Sequence, residues 1–104
     1  MFTLETLAGI IAARAESSAE ESYTKSLLEA GPARTAKKFG EEAIELVIAT
    51  IEGDSAGIRS EAADVLYHLM VVLRARGIEL QDVLTELERR TVRSGHEEKA
   101  SRKA

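Results

Sequence analysis

The sequence contains no cysteine and no tryptophan, a single proline, and only two tyrosines and two phenylalanines among 104 residues. Without cysteine there are no disulfides, no zinc–thiolate centres and no thiol nucleophile, which fits a cytoplasmic protein. The scarcity of proline and aromatics speaks against a turn-rich β-sandwich. Basic excess is missing too. The formal net charge is −4, whereas a nucleic-acid partner needs a basic face to neutralise phosphates. No apolar run is long enough to span a bilayer, and residues 1–14 lack the basic start and long apolar core of a secretion signal. The expectation is a soluble protein with neither a membrane nor a nucleic acid as partner.

What the chain does have is aliphatic and charged residues at helical spacing: 44% of it is hydrophobic and 31% charged. Its length allows one domain. Phe2, Leu4, Leu7, Ile10 and Ile11 predict a helix over residues 2–15. A small and charged stretch follows, then a short helix or turn over residues 22–29 with Tyr23, Leu27 and Leu28 inward. Gly31-Pro32 marks a boundary, since proline is tolerated in the first turn of a helix. From there to Glu52 an inner stripe of Ala36, Phe39, Ala43, Leu46, Val47 and Ile51 predicts a long helix. Gly53 stops it, and Asp54 or Ser55 can cap the next. A connection of about two residues forces the helices to be antiparallel neighbours.

The next helix, expected from about Ser55 to Ala75, is apolar nearly all round between Val65 and Leu73. Such a helix is buried on most sides, and a chain this short has few helices to surround it, so a homodimer is expected. A last helix over residues 80–92 carries Leu80, Val83, Leu84 and Leu87 inward. The fold class is thus all-α: four to five helices around a central antiparallel hairpin, completed by dimerisation. Residues 1–93 form the domain, and residues 94–104 a polar tail.

Glu42 and Glu45 lie one turn apart and about 60° around the axis of the first hairpin helix, and Glu61 and Asp64 repeat the spacing on the second. Both pairs border an apolar stripe, and the hairpin brings them level, so four carboxylates could point into one crevice. Clustered carboxylates repel, and a hard divalent cation compensates them. Mg²⁺ prefers oxygen ligands and completes its shell with water and phosphate; Mn²⁺ is the natural substitute. Water attacking a phosphoanhydride with the help of such a metal is the chemistry that suits the site. The competing reading is an ordinary solvated flank beside a hairpin. A ferritin-like di-iron site needs Glu-x-x-His pairs, and none occurs in the chain.

These residues carry a resemblance. Ala36-Lys37-Lys38-Phe39-Gly40-Glu41-Glu42-Ala43-Ile44-Glu45, followed by Glu61-Ala62-Ala63-Asp64-Val65-Leu66-Tyr67-His68-Leu69, resembles the MazG-like all-α nucleotide pyrophosphohydrolases. Glu21-Ser22-Tyr23-Thr24 with Leu27, the run Lys37 to Glu42, and the tail from Arg89-Arg90 to Ser94-Gly95 and Glu97-Glu98-Lys99 resemble, within them, the phosphoribosyl-ATP pyrophosphatase family of histidine biosynthesis. The resemblance covers about Leu4 to Lys99. It implies hydrolysis of the α–β phosphoanhydride of phosphoribosyl-ATP, Mg²⁺, and a homodimer whose two subunits both build each site. By position it implies Glu42, Glu45, Glu61 and Asp64 as metal ligands, and Glu41 as the group that orients or deprotonates the attacking water. A house-cleaning hydrolase of (deoxy)nucleoside triphosphates and a non-catalytic helical dimerisation module are the rival readings.

Other residues have two readings each. Lys38 can pair with Glu41, Glu42 or Glu45, or bind the triphosphate as a point charge; Lys37 sits further round the helix. Gly40 in a helix interior costs about 1 kcal/mol against alanine, which points to close approach by a helix or by substrate. Ser22, Tyr23 and Thr24 carry hydroxyls that suit ribose or phosphate, a role that rests on the resemblance. His68 is a core histidine or a contact near the site. Arg89, Arg90, Arg93, Lys99 and Arg102 make the C-terminal region basic, with Lys99 the expected substrate contact.

Overall fold

A computed structural model describes residues 1–92. Among them the structure is five helices in the order α1 (Leu4–Ala15), α2 (Tyr23–Ala30), α3 (Pro32–Glu52), α4 (Ser55–Ala75) and α5 (Leu80–Thr91). Local chemistry sets the starts. Thr3 caps α1 by accepting from the Thr6 amide, and the Thr6 hydroxyl returns the bond to the Thr3 amide, a reciprocal capping arrangement. Ser22 caps α2 by accepting from the Lys25 amide at 3.1 Å. Gly31, at φ 97°, ends α2 and begins α3, with Pro32 in the first turn. Gly53, at φ 75°, ends α3; a side chain would be strained at either glycine.

Two residues, Gly53 and Asp54, connect α3 to α4, and these helices form the most extensive pairing in the chain. Glu45 lies seven residues before the end of α3 and Glu61 six residues after the start of α4. At 1.5 Å per residue, both sit about 10 Å from the turn and therefore level. The core lies at the other end. Ile11, Leu27, Met70 and Val71 are buried together, with Leu7, Leu28, Tyr67, Leu73 and Leu80 packed around them. Thus α1 and α2 pack on α4 around Met70 and Val71, α2 also packs on α3, and Leu80 at the start of α5 joins the same cluster.

Several expected inner positions are outside. Leu4 on α1 and Phe2 just before it are exposed; on α5, Leu87 is exposed. On α3 the buried positions are Thr35, Glu42 and Ala49, while Ala36, Val47 and Ile51, expected inside, face out. Val47 and Ile51 join Ile44 and Ile48 in an apolar stripe on the opposite face, with Ile51 80% exposed. The helix thus has two apolar faces, of which the chain covers one. The all-round apolar stretch of α4 is half-buried or buried except at Leu66. Gly40 also differs from expectation: a Cβ built there meets nothing within 4 Å, so no other part of the described chain explains this glycine.

Candidate metal and phosphate site

At the level where the hairpin helices align, carboxylate oxygens of Glu42, Glu45 and Glu61 lie within 4.8 Å of one another. Opposite ligands of one Mg²⁺ are about 4.2 Å apart, given metal–oxygen distances near 2.1 Å, so the three groups are at the spacing of a shared cation. Glu42 is buried, Glu61 half-buried and Glu45 exposed. The Glu61 Oε2 atom is buried with no hydrogen-bond partner. Buried polar atoms almost always have partners, and an orphaned oxygen on a carboxylate that lies beside two others is what a cation would satisfy. The donors are all oxygen, which fits a hard divalent ion and not a soft one.

Asp64, the fourth expected ligand, is not in this cluster. It lies 60° around α4 from Glu61 by helical geometry, is exposed, and opens onto a groove lined by Phe2, Leu4, Leu7 and Tyr67. Its backbone carbonyl accepts a hydrogen bond from His68 Nδ1 at 2.8 Å. Glu41 is exposed beside the cluster.

Lys38 spans the gap between cluster and cleft. Its Nζ is 3.4 Å from Glu42 Oε1 and 3.8 Å from Glu41 Oε1. Its pKa is raised above the ordinary lysine value, first by the hydrogen bond to Glu42 and then by the neighbouring Tyr23; desolvation opposes the rise, and the charges of Glu42 and Glu41 add to it. Lys38 also lines a cleft between α2 and α3 with Tyr23, Arg34, Lys37 and Glu41. Lys37 lines this cleft too, and Arg34 was not anticipated. The signal was in the sequence: Arg34, Lys37, Lys38 and Glu41 follow i, i+3, i+4, i+7, one helix face.

The three hydroxyl residues of the segment 22–24 divide. The Ser22 hydroxyl is spent on its cap. Thr24 is fully buried and hydrogen-bonded to the Tyr67 hydroxyl. Tyr23 is 53% exposed, not inward-facing, and its hydroxyl pairs with His68 Nε2 at 3.3 Å. The Tyr23 and Tyr67 rings stack, and the His68 ring meets each edge-on. Since the Asp64 carbonyl can only accept, His68 Nδ1 carries the donated proton, and in the neutral ring Nε2 accepts a hydrogen bond from the Tyr23 hydroxyl. His68 is thus a buried connector between α2 and α4. Lys99, expected at the substrate, lies outside the described residues, as do Arg93 and Arg102.

The family model described as phosphoribosyl-ATP pyrophosphohydrolase matches residues 4–91. Curated relatives are similar over nearly their whole length. The phosphoribosyl-ATP pyrophosphatase of Methylobacterium radiotolerans is 56% identical over 98% of this chain and 95% of its own. Phosphoribosyl-ATP pyrophosphatase 1 of Rhodopseudomonas palustris is 56% identical over 98% and 95%. The phosphoribosyl-ATP pyrophosphatase of Agrobacterium fabrum is 54% identical over 97% and 94%. With an acidic cluster on a helical hairpin and a match that runs from the first turn of α1 to the last of α5, the chain belongs to the phosphoribosyl-ATP pyrophosphohydrolase family.

Proposed function

We propose that the chain hydrolyses the α–β phosphoanhydride of phosphoribosyl-ATP, releasing phosphoribosyl-AMP and pyrophosphate, as the second step of histidine biosynthesis in the cytoplasm. Residues 1–93 form the domain that carries this activity. The observation that carries the reading is the convergence of Glu42, Glu45 and Glu61, one of which has an unpartnered buried oxygen, in a chain of this family. Glu42, Glu45 and Glu61, with Asp64 one turn along α4, would hold Mg²⁺. When bound, the cation neutralises charge on the phosphates and polarises the anhydride.

The residues of the chain have separate tasks. Lys38, charged through and beyond the neutral range, binds triphosphate oxygens as a point charge. Glu41, exposed beside the cluster, orients the attacking water and accepts its proton. Ser22 and Thr24 act through structure, fixing the start of α2, and Tyr23 presents an exposed ring edge to the cleft. Lys99 joins from the tail.

The enzyme is a homodimer. Ile44, Val47, Ile48 and Ile51 leave a contiguous apolar stripe on α3, and exposed apolar stripes of this kind mark interaction surfaces. Gly40 lies on the same side, four residues before Ile44, where close approach by a second copy accounts for the missing side chain. A panel of nucleotides with pyrophosphate release as readout tests the substrate. Phosphoribosyl-ATP should be cleaved in preference to free NTPs and dNTPs; efficient cleavage of the free nucleotides instead would assign the chain to house-cleaning chemistry.

A further inference from the structure

The cleft between α2 and α3 has a construction of its own. Tyr23, Ser26, Leu27 and Ala30 line it from α2, and Arg34, Lys37, Lys38 and Glu41 from α3. Each set follows i, i+3, i+4, i+7, so one face of each helix forms one wall. The helices meet at Gly31 alone, and the buried Thr35 hydroxyl donates to the Gly31 carbonyl at 2.8 Å, with the Leu27 carbonyl at 3.2 Å also in reach. That clip fixes the angle at which the walls diverge.

Its charge runs against that of the chain. In a protein of net charge −4, this cleft holds three cations and one carboxylate. Lys38 is paired with Glu42 and Glu41, but Arg34 and Lys37 make no ion pair among the described residues. The first turn of α3 contains no acidic residue and its start has no side-chain cap. Its unpaired amides therefore add partial positive charge at the same end. Along α3, Arg34 precedes Glu42, and Lys37 precedes Glu45, by eight residues or about 12 Å. Both cations therefore stand back from the carboxylates along α3, while Lys38 lines the cleft with them and is paired with Glu42.

We infer that Arg34 and Lys37 form a phosphoryl-binding subsite, gripping a terminal phosphate of the substrate while the scissile anhydride lies at Glu42, Glu45 and Glu61. The inference rests on the proposed activity. A substrate of that kind has phosphate at two ends, the triphosphate terminus and the ribosyl 5-phosphate, and the shared chemistry is a dianionic phosphoryl group met by two cations.

The test uses the full chain with Mg²⁺ and two probe inhibitors, inorganic pyrophosphate and ribose 5-phosphate, on wild type, R34Q/K37Q and the charge-preserving R34K/K37R. Neutralising both cations should raise the inhibition constant of one probe about tenfold, with R34K/K37R restoring most of it. Weakened pyrophosphate inhibition assigns the subsite to the triphosphate end; weakened ribose 5-phosphate inhibition assigns it to the ribosyl end. Unchanged constants for both probes, or a wild type that neither inhibits, overturn the inference. Should the wild type fail to cleave phosphoribosyl-ATP, the proposed activity is what fails. Calorimetric titration of inorganic pyrophosphate and of ribose 5-phosphate into wild type and R34Q/K37Q then decides the subsite by itself, equal affinities for both probes overturning it.

Discussion

Lys38 Nζ lies 3.4 Å from Glu42 Oε1, one turn away on α3, so the cation at the inner end of the cleft is paired with the most buried carboxylate of the acidic cluster. This pair raises the lysine pKa, chiefly through the Glu42 hydrogen bond. A group with a raised folded pKa contributes stability that is fully present below its unfolded value and is lost as pH rises through the folded one. The relevant window is therefore above the ordinary lysine range, and Lys38 stays charged wherever the enzyme works. The KM of wild type should show no alkaline rise from this group between neutral pH and about 9.5. Lys38→Met should raise KM at every pH in that interval. A pH series of KM for both proteins checks this.

Glu61 should reveal the cation through stability. Its orphaned Oε2 is destabilising when nothing neutralises it, so Glu61→Gln without metal should melt at or above the wild-type temperature. Binding to the folded state alone raises stability by about 2.7 kcal/mol at a ligand concentration 100-fold over Kd. Mg²⁺ should therefore raise the melting temperature of wild type and leave Glu61→Gln nearly unmoved. Thermal melts with and without Mg²⁺ measure both effects.

The Tyr23, Thr24, Tyr67 and His68 cluster should matter to folding more than its hydroxyl chemistry suggests. Thr24→Val removes a fully buried partner of Tyr67 and should cost about 1–2 kcal/mol in urea unfolding. His68→Ala also empties a buried ring site between two tyrosines and should cost about 2–4 kcal/mol. Tyr23→Phe removes one exposed-side hydrogen bond and should cost less than either. A smaller loss for His68→Ala than for Tyr23→Phe would contradict the connector role.

The apolar stripe on α3 predicts an oligomer-specific lesion. Ile44→Glu with Ile48→Glu places charge on exposed positions, where the monomer loses little. Sedimentation of the variant should give a monomer and that of wild type a dimer. A wild type that sediments as a monomer at micromolar concentration removes the interface from the account.

The helices were legible because their punctuation is local. Pro32, Gly53 and the apolar periodicity set the boundaries within a residue or two, although the expected cap at Asp54 or Ser55 makes no side-chain hydrogen bond, and the short Gly53-Asp54 connection set the pairing of α3 with α4. The facing of side chains was less legible. A helix with two apolar faces, such as α3, gives one periodic signal, and nothing in the spacing says that Thr35, Glu42 and Ala49 are inside while Val47 and Ile51 are out. The same limit separates Glu61 from Asp64: i, i+3 spacing leaves 60° between them, enough to turn one into the cluster and the other toward Phe2 and Leu4. Arg34 and Lys37 were readable as a helix face, but the cleft wall opposite them belongs to α2, and only the fold supplies it.

The most direct measurement is pyrophosphate release from phosphoribosyl-ATP by the purified chain, with Mg²⁺ and with excess EDTA, for wild type and for Glu45→Gln. The account predicts turnover by wild type with Mg²⁺, none with EDTA, and a fall of at least about 100-fold for Glu45→Gln at unchanged helicity. Turnover that survives EDTA, or a Glu45→Gln enzyme as fast as wild type, would contradict it.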